Sequence, residues 1–280
     1  MRGNALKDNS FHGRTLVMSG GSRGIGYAIA AEFAARGGNV VLLAKTDVPD
    51  PRLPGTLRSA VAEIESAGGN AVGVVGDVRK DADVERVVQT AVERFGGIDI
   101  CVNNASVLTL SGTEDLPMKR FDLMQQVNVR GTFALTRECL PHLRKSPQGQ
   151  ILTLSPPLNM SQEWLGKHPG YMLAKYGMTL LAMGFGAEYA DTSVVGTCLW
   201  PETTIATAAV VNLLGGAEAA AHARNPKIMA DAAMRIFGDP SGYANRCVLD
   251  VDVLAEAGIT DLDEYGGQAP LEYDIFVDPR

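Results

Sequence analysis

The sequence predicts an α/β fold in three layers: a doubly wound, seven-stranded parallel sheet covered by helices on both faces. Three observations predict it. Short aliphatic or β-branched runs alternate with segments of helical period, no linker interrupts the alternation, and the first run empties into a glycine-rich turn that opens a helix.

The first strand is expected over 15–19, ending in Val17-Met18-Ser19, and is followed at once by Gly20-Gly21-Ser22-Arg23-Gly24-Ile25-Gly26. Tyr27, Ile29 and Phe33 then set a helical period over 24–36. Glycine permits the tight turn, lets the backbone approach a pyrophosphate and leaves the helix N-terminus aimed at the anion, so this segment predicts a Rossmann-type dinucleotide cradle. Residues 39–44 form the second strand, and 47–55, with Pro49, Pro51 and Pro54, can continue neither strand nor helix and mark a loop. Helices are then expected at 56–67, 82–95, 117–145 and 170–190, alternating with strands at 71–76, 98–103, 150–155, 193–200 and 246–250. These strands are near-continuous apolar runs, the pattern of a sheet buried on both faces. Residues 203–237 are alanine-rich and broken by Gly215-Gly216, which predicts short helices on a flexible connection serving as a mobile lid. The tail from Ala257 is acidic and punctuated by Gly and Pro, with Tyr265, Tyr273 and Phe276 as anchors along the domain surface or across a subunit boundary.

A chain of 280 residues with 46% hydrophobic and 20% charged residues can bury a substantial core. The formal net charge of −7 and the absence of a basic run argue against a nucleic acid or an anionic membrane as partner. Cys101, Cys139, Cys198 and Cys247 are dispersed, which suits reduced core thiols, and the N-terminal segment lacks the apolar core of a signal peptide. No stretch reads as a bilayer span, and a cytoplasmic setting is expected. His12, His142, His168 and His222 are scattered without ligand spacing, so no metal is expected. His168 lies three residues before Tyr171 and is the one histidine placed to border a pocket.

Tyr171 and Lys175 stand four residues apart in the segment 170–190, so both side chains project from one helical face. Together with Ser19-Gly20-x-x-x-Gly24-Ile25-Gly26, Asn103-Asn104-Ala105 and Asn128, they resemble the short-chain dehydrogenase/reductase family over about residues 14–250. Ala44-Lys45-Thr46, Ser155-Pro156-Pro157-Leu158-Asn159, Ala174-Lys175-Tyr176-Gly177-Met178 and Leu199-Trp200-Pro201 are similar to the hydroxysteroid dehydrogenase-like protein 2 group within it, without room for the sterol-carrier domain that some members append. The resemblance implies one oxidoreductase domain over 1–280, with a core at about 12–255, the lid at about 203–237 and the tail at about 256–280.

It also implies roles. Tyr171 exchanges a proton with the substrate oxygen while hydride moves to or from a nicotinamide. A free phenol titrates near 10, so Lys175 is expected to lower its pKa and to hold the nicotinamide ribose. Asn128 positions a water in the proton relay and widens its helix. The family's catalytic serine is the point of departure: it falls in Ser155-Pro156, with proline at the customary hydroxyl position, so Ser155 fills the role only if the proline bends the strand end. Asn159 and Ser161 are the alternative donors.

For the cofactor, an acidic residue at the end of the second strand would favour NAD, whereas this chain has Lys45 there and Arg23 in the glycine turn, favouring NADP; Asp47 is the counterweight and Arg52 a further cation. Ser19, Gly20, Ser22, Gly24, Ile25 and Gly26 form the cradle. Asp77 and Val78 cup the adenine, Asn104 meets the cofactor at the fourth strand, and Pro201, Thr203, Thr204 and Ile205 meet the carboxamide. The expected substrate is a small apolar alcohol or carbonyl, lipid-like, terpenoid or steroid-like, lined by Leu108, Met160, Trp164 and Trp200. The alternative is a non-catalytic NADP(H)-binding regulatory or sensor protein with a degraded serine position. A homodimer or homotetramer is expected through the helices at 117–145 and 170–190, which carry more apolar residues than one sheet face needs.

Overall fold

The computed structural model describes residues 10–49, 55–208, 210 and 216–279. Its centre is a seven-stranded parallel sheet: β1 Thr15–Ser19, β2 Asn39–Ala44, β3 Asn70–Val75, β4 Ile100–Asn103, β5 Gln150–Leu154, β6 Val195–Trp200 and β7 Cys247–Leu249. The strand order is β3-β2-β1-β4-β5-β6-β7, so the winding reverses between β1 and β4 and opens a crevice at the carboxyl ends of those strands. Thr15 pairs with Asn39, and Leu16 with Ile100, which brings the ends of β1, β2 and β4 level.

Successive strand residues face opposite helical layers, as pleating requires. Leu16, Met18, Leu42 and Val102 enter one core, under α1 Gly24–Ala35 and α2 Leu57–Ser66; Val17, Val41, Leu43 and Cys101 enter the other, under α3 Asp81–Phe95. Burying each such side chain contributes about 1.5–3 kcal/mol before conformational entropy is subtracted. The long fourth helical segment is α4 Met118–Met124 and α5 Gly131–Leu143 joined by a π-helical turn, Gln125–Arg130, and the sixth strand is preceded by α6 Gln162–Lys167 and α7 Pro169–Glu188. The chain closes with α8 Gly216–Ala221, α9 Lys227–Gly238 and α10 Asp250–Glu256.

The expected lid is corrected in its last third. Residues 227–238 form a core helix in which Ile228, Met229, Ala232, Ala233 and Phe237 are buried. Phe237 meets Phe33 at 5.8 Å and Phe11 at 6.3 Å between ring centroids, and α9 packs on α1. Small alanines read as mobility in sequence here permit close helix packing instead. Of the remainder, residues 209 and 211–215 lie outside the described residues, as does Arg52. No described helix is long and apolar enough to cross a membrane.

Candidate active site

A cleft of about 500 Å³ lies over the carboxyl ends of the strands at the β1/β4 crevice. Its floor is the glycine turn. Gly20 has φ of +78°, and a Cβ there would lie 2.8 Å from Asn104 Nδ2 and 2.9 Å from Ala105 Cα, so both conformation and space demand glycine. Asn104 Nδ2 donates to the carbonyls of Ser19 (3.0 Å) and Gly20 (2.8 Å), and Ala105 N donates to Ser19 Oγ (3.2 Å), which locks the turn to the end of β4. Arg23 is the N-cap of α1 and no side chain caps that end, so the first-turn amides of the helix face a cleft wall built by Ser22, Arg23, Gly24 and Ile25. These donors suit a pyrophosphate, and the residues present fit a dinucleotide. Ser19 and Gly26 lie behind the wall as supports; a Cβ on Gly26 would press Asn104 Nδ2 at 2.5 Å.

At one end the cleft is lined by Ala44, Lys45, Thr46, Gly76, Asp77 and Val78. Asp77 is held by Arg79 through contacts of 2.6 to 3.0 Å and by Lys45 Nζ at 3.3 Å. The hydrogen bonds from Arg79, with the Lys45 charge, hold its carboxyl well below the usual carboxylate range despite burial. Arg79 was not singled out from sequence, although its place two residues after a turn-forming Asp is a usable signal: its amide also donates to Asp77 Oδ1 at 3.0 Å. Asp47 points elsewhere and pairs with Arg58 at 3.2 Å.

At the other end stand Tyr171, Lys175, Leu154, Trp200, Val107 and Leu108. Tyr171 and Lys175 are one turn apart on α7, and both are buried. Lys175 Nζ donates to the Leu154 carbonyl at 2.7 Å and sits 4.7 Å from the centroid of the Trp200 ring. Burial pushes its pKa down to about 7, against which the Asp274 carboxylate pulls upward. The sequence expectation that Lys175 lowers the Tyr171 pKa is not what this geometry does: burial, then Asp274, push the phenol far up, and the ammonium is directed at the strand end and the indole.

Asn128 is fully buried in the π-helical turn. It accepts from Val107 N at 2.8 Å and donates to Val107 O at 3.0 Å, so its amide holds the loop after β4 against the reactive end. Ser155 is fully buried and is not part of the cleft wall, and its Oγ makes no hydrogen bond, as expected when Pro156 takes the next outward position. The alternative donors are also engaged elsewhere. Asn159 Nδ2 donates to Asp278 Oδ2 at 2.8 Å, and Ser161 caps α6 by accepting from Trp164 N. Pro201, Thr203, Thr204 and Ile205 form no part of the wall, because Thr203 bridges Tyr273, Thr204 N donates to Glu272 O at 2.9 Å and Ile205 bridges Arg224; Thr207 and Ala208 line the cleft in their place. Trp164 and Met160 are likewise outside the wall, and so is His168, which is the N-cap of α7.

The short chain dehydrogenase family matches residues 14–214. The chain belongs to that family. Hydroxysteroid dehydrogenase-like protein 2 of Danio rerio is 47% identical over 268 residues, covering 95% of this chain and 64% of that protein. The Homo sapiens protein of the same name is 43% identical with the same coverage, so this chain spans less than two thirds of the length of these relatives. A crystal structure of a short chain dehydrogenase from Mycobacterium thermoresistibile has a TM-score of 0.90 and 50% identity, covering 95% of this chain and 96% of that one. Short-chain dehydrogenases are NAD(P)-dependent oxidoreductases.

Proposed function

We propose that this short-chain dehydrogenase interconverts an alcohol and a carbonyl on an apolar small molecule, with NADP as its nucleotide and Tyr171 as acid and base. The observation that carries the reading is a single cleft with the glycine turn and Lys45 toward one end and Tyr171 with Lys175 at the other. When bound, the nicotinamide supplies or accepts the hydride. Burial and the Asp274 charge keep the Tyr171 phenol protonated near neutrality, so it donates its proton to the carbonyl oxygen as hydride reaches the carbonyl carbon; in oxidation both movements reverse. Lys175 offers the neighbouring positive charge and the ribose-binding group, Asn128 fixes the loop facing them, and Ser155 is assigned a supporting place rather than an oxygen donor's. Val107, Leu108, Leu123, Val127, Leu154 and Trp200 make that end apolar, which suits a lipid-like, terpenoid or steroid-like substrate.

The absence of Ser155 from the cleft wall favours a second reading, a non-catalytic NADP(H)-binding regulator. A panel of aldehydes, ketones and alcohols with either nucleotide separates the two. Turnover that Tyr171→Phe abolishes supports the enzyme; tight NADPH binding with no turnover across the panel supports the regulator.

For the nucleotide, Lys45 lies beside Asp77 at the adenosine end while Asp47 is paired with Arg58 away from it. Lys45→Ala is expected to weaken NADPH by about tenfold and leave NADH nearly unchanged. A charge-assisted contact contributes roughly 1.5–3 kcal/mol, and exposure of 59% of the lysine side chain reduces that by screening. Titration of nucleotide fluorescence reads both affinities, and equal weakening of the two would refute the assignment.

We also propose a homodimer or homotetramer built on α5 and α7. Phe133 is 46% exposed and Leu180 58% exposed, and Val129, Phe133 and Leu181 line an apolar groove beside them. Sedimentation at micromolar concentration is expected to give a dimer or larger species, and a monomer would exclude it. The same reading takes 1–280 as one catalytic domain and places it in a reducing, cytoplasmic setting consistent with four free thiols.

A further inference from the structure

Residues 272–278 pass behind the reactive end of the cleft and are tied down along their length. Tyr273 bridges Thr203, Thr204 N donates to Glu272 O at 2.9 Å, and Asp274 N donates to Glu202 O at 2.9 Å. The Trp200 indole donates to Ile275 O at 3.0 Å, and Trp164 Nε1 and Asn159 Nδ2 donate to the two oxygens of Asp278 at 2.7 and 2.8 Å. Between these ties, Phe276 is buried with its ring stacked on Tyr171 at 6.0 Å and 24° between planes, and set against Tyr176 at 5.0 Å and Trp164 at 5.8 Å. Its φ is +75°, a left-handed conformation that a bulky side chain keeps only where its surroundings hold it. Here the aromatic box and the Asp278 latch do so.

We propose that this C-terminal strap completes the catalytic site, with Phe276 as the positioning residue of Tyr171. The inference rests on the acid/base reading of Tyr171. A phenol that must meet a substrate oxygen needs a fixed ring, and misplacement on the scale of 1 Å is enough to reduce rate by about 10²-fold. Phe276 supplies that fixation by stacking on the Tyr171 ring.

The test uses the full chain with saturating NADPH and a carbonyl compound that the wild type reduces. Phe276→Ala is expected to lower kcat about 10–100-fold with the NADPH dissociation constant within about twofold, and Phe276→Leu to recover most of the rate. Asp278→Ala releases the latch without opening a core, so it carries the test even if Phe276→Ala does not fold. It should lower kcat and speed amide hydrogen exchange over residues 168–176. Wild-type kcat and exchange in Phe276→Ala and Asp278→Ala, with turnover already lost in Tyr171→Phe, would overturn the strap. Turnover that survives Tyr171→Phe would instead overturn the acid/base reading.

Discussion

Tyr171→Phe is expected to lower kcat by about 10²–10⁴-fold, the contribution typical of a positioned proton donor, with NADPH affinity unchanged. The substitution removes one oxygen and nothing else. The ring keeps its stack on Phe276 and its place in the cluster with Met124, Trp164 and Ala174, so the fold loses no packing. Deleting a buried hydroxyl also removes a desolvation cost, and the thermal midpoint should hold or rise slightly. A fall in rate with an intact midpoint and intact nucleotide binding therefore isolates the proton step. Ser155 stands outside the cleft wall and does not share the burden, which places the expected loss toward the upper part of the range. Retention of more than about a tenth of the wild-type rate would sink the assignment of Tyr171 as acid and base.

How far the molecule was legible beforehand depends on the range of the interactions that fix each part. Strands β1 and β2 appear over the residues read for them, because a parallel strand buried on both faces must be apolar throughout, and that is a local signal. Gly20 and the uncapped start of α1 were legible for the same reason, as were Tyr171 and Lys175, which one helical turn places together. Helix α9 was misjudged because alanine is uninformative by itself; its burial is decided by Phe11 and Phe33, more than 190 residues earlier. The fate of 201–205 and of Asn159 depended on the tail: Asn159 meets Asp278 across a separation of 119 residues, which no periodicity announces. Anchoring by Tyr265 and Phe276 was foreseen, but its site was not, since an acidic segment without helical or strand period carries no address.

Lys175→Met is expected to remove turnover and, in acid, to stabilise the fold. The folded-state pKa of about 7 lies below the ordinary lysine value of 10.5, because burial penalises the ammonium more than Asp274 favours it. Below pH 7 the proton is bound in both folded and unfolded chains, and the folded state carries the full cost of the buried charge. Between pH 7 and 10.5 only the unfolded chain keeps the proton, so this cost is relieved as pH rises. Asp274 and Asp250 run the other way: their carboxyls are pushed up to about 7, chiefly by burial, so each subtracts stability as pH climbs from about 4 to 7 and adds no further change above it. Replacing the buried ammonium with a thioether of similar length should raise the thermal midpoint at pH 6, and the gain should shrink toward pH 10. Differential scanning calorimetry of both proteins across that range measures it. A variant less stable than wild type at pH 6, or one whose advantage does not change between pH 6 and 10, would show that the ammonium is not held at a desolvation cost. A catalytic group kept at such a cost for its charge is the expected signature of a site shaped for proton transfer rather than for stability.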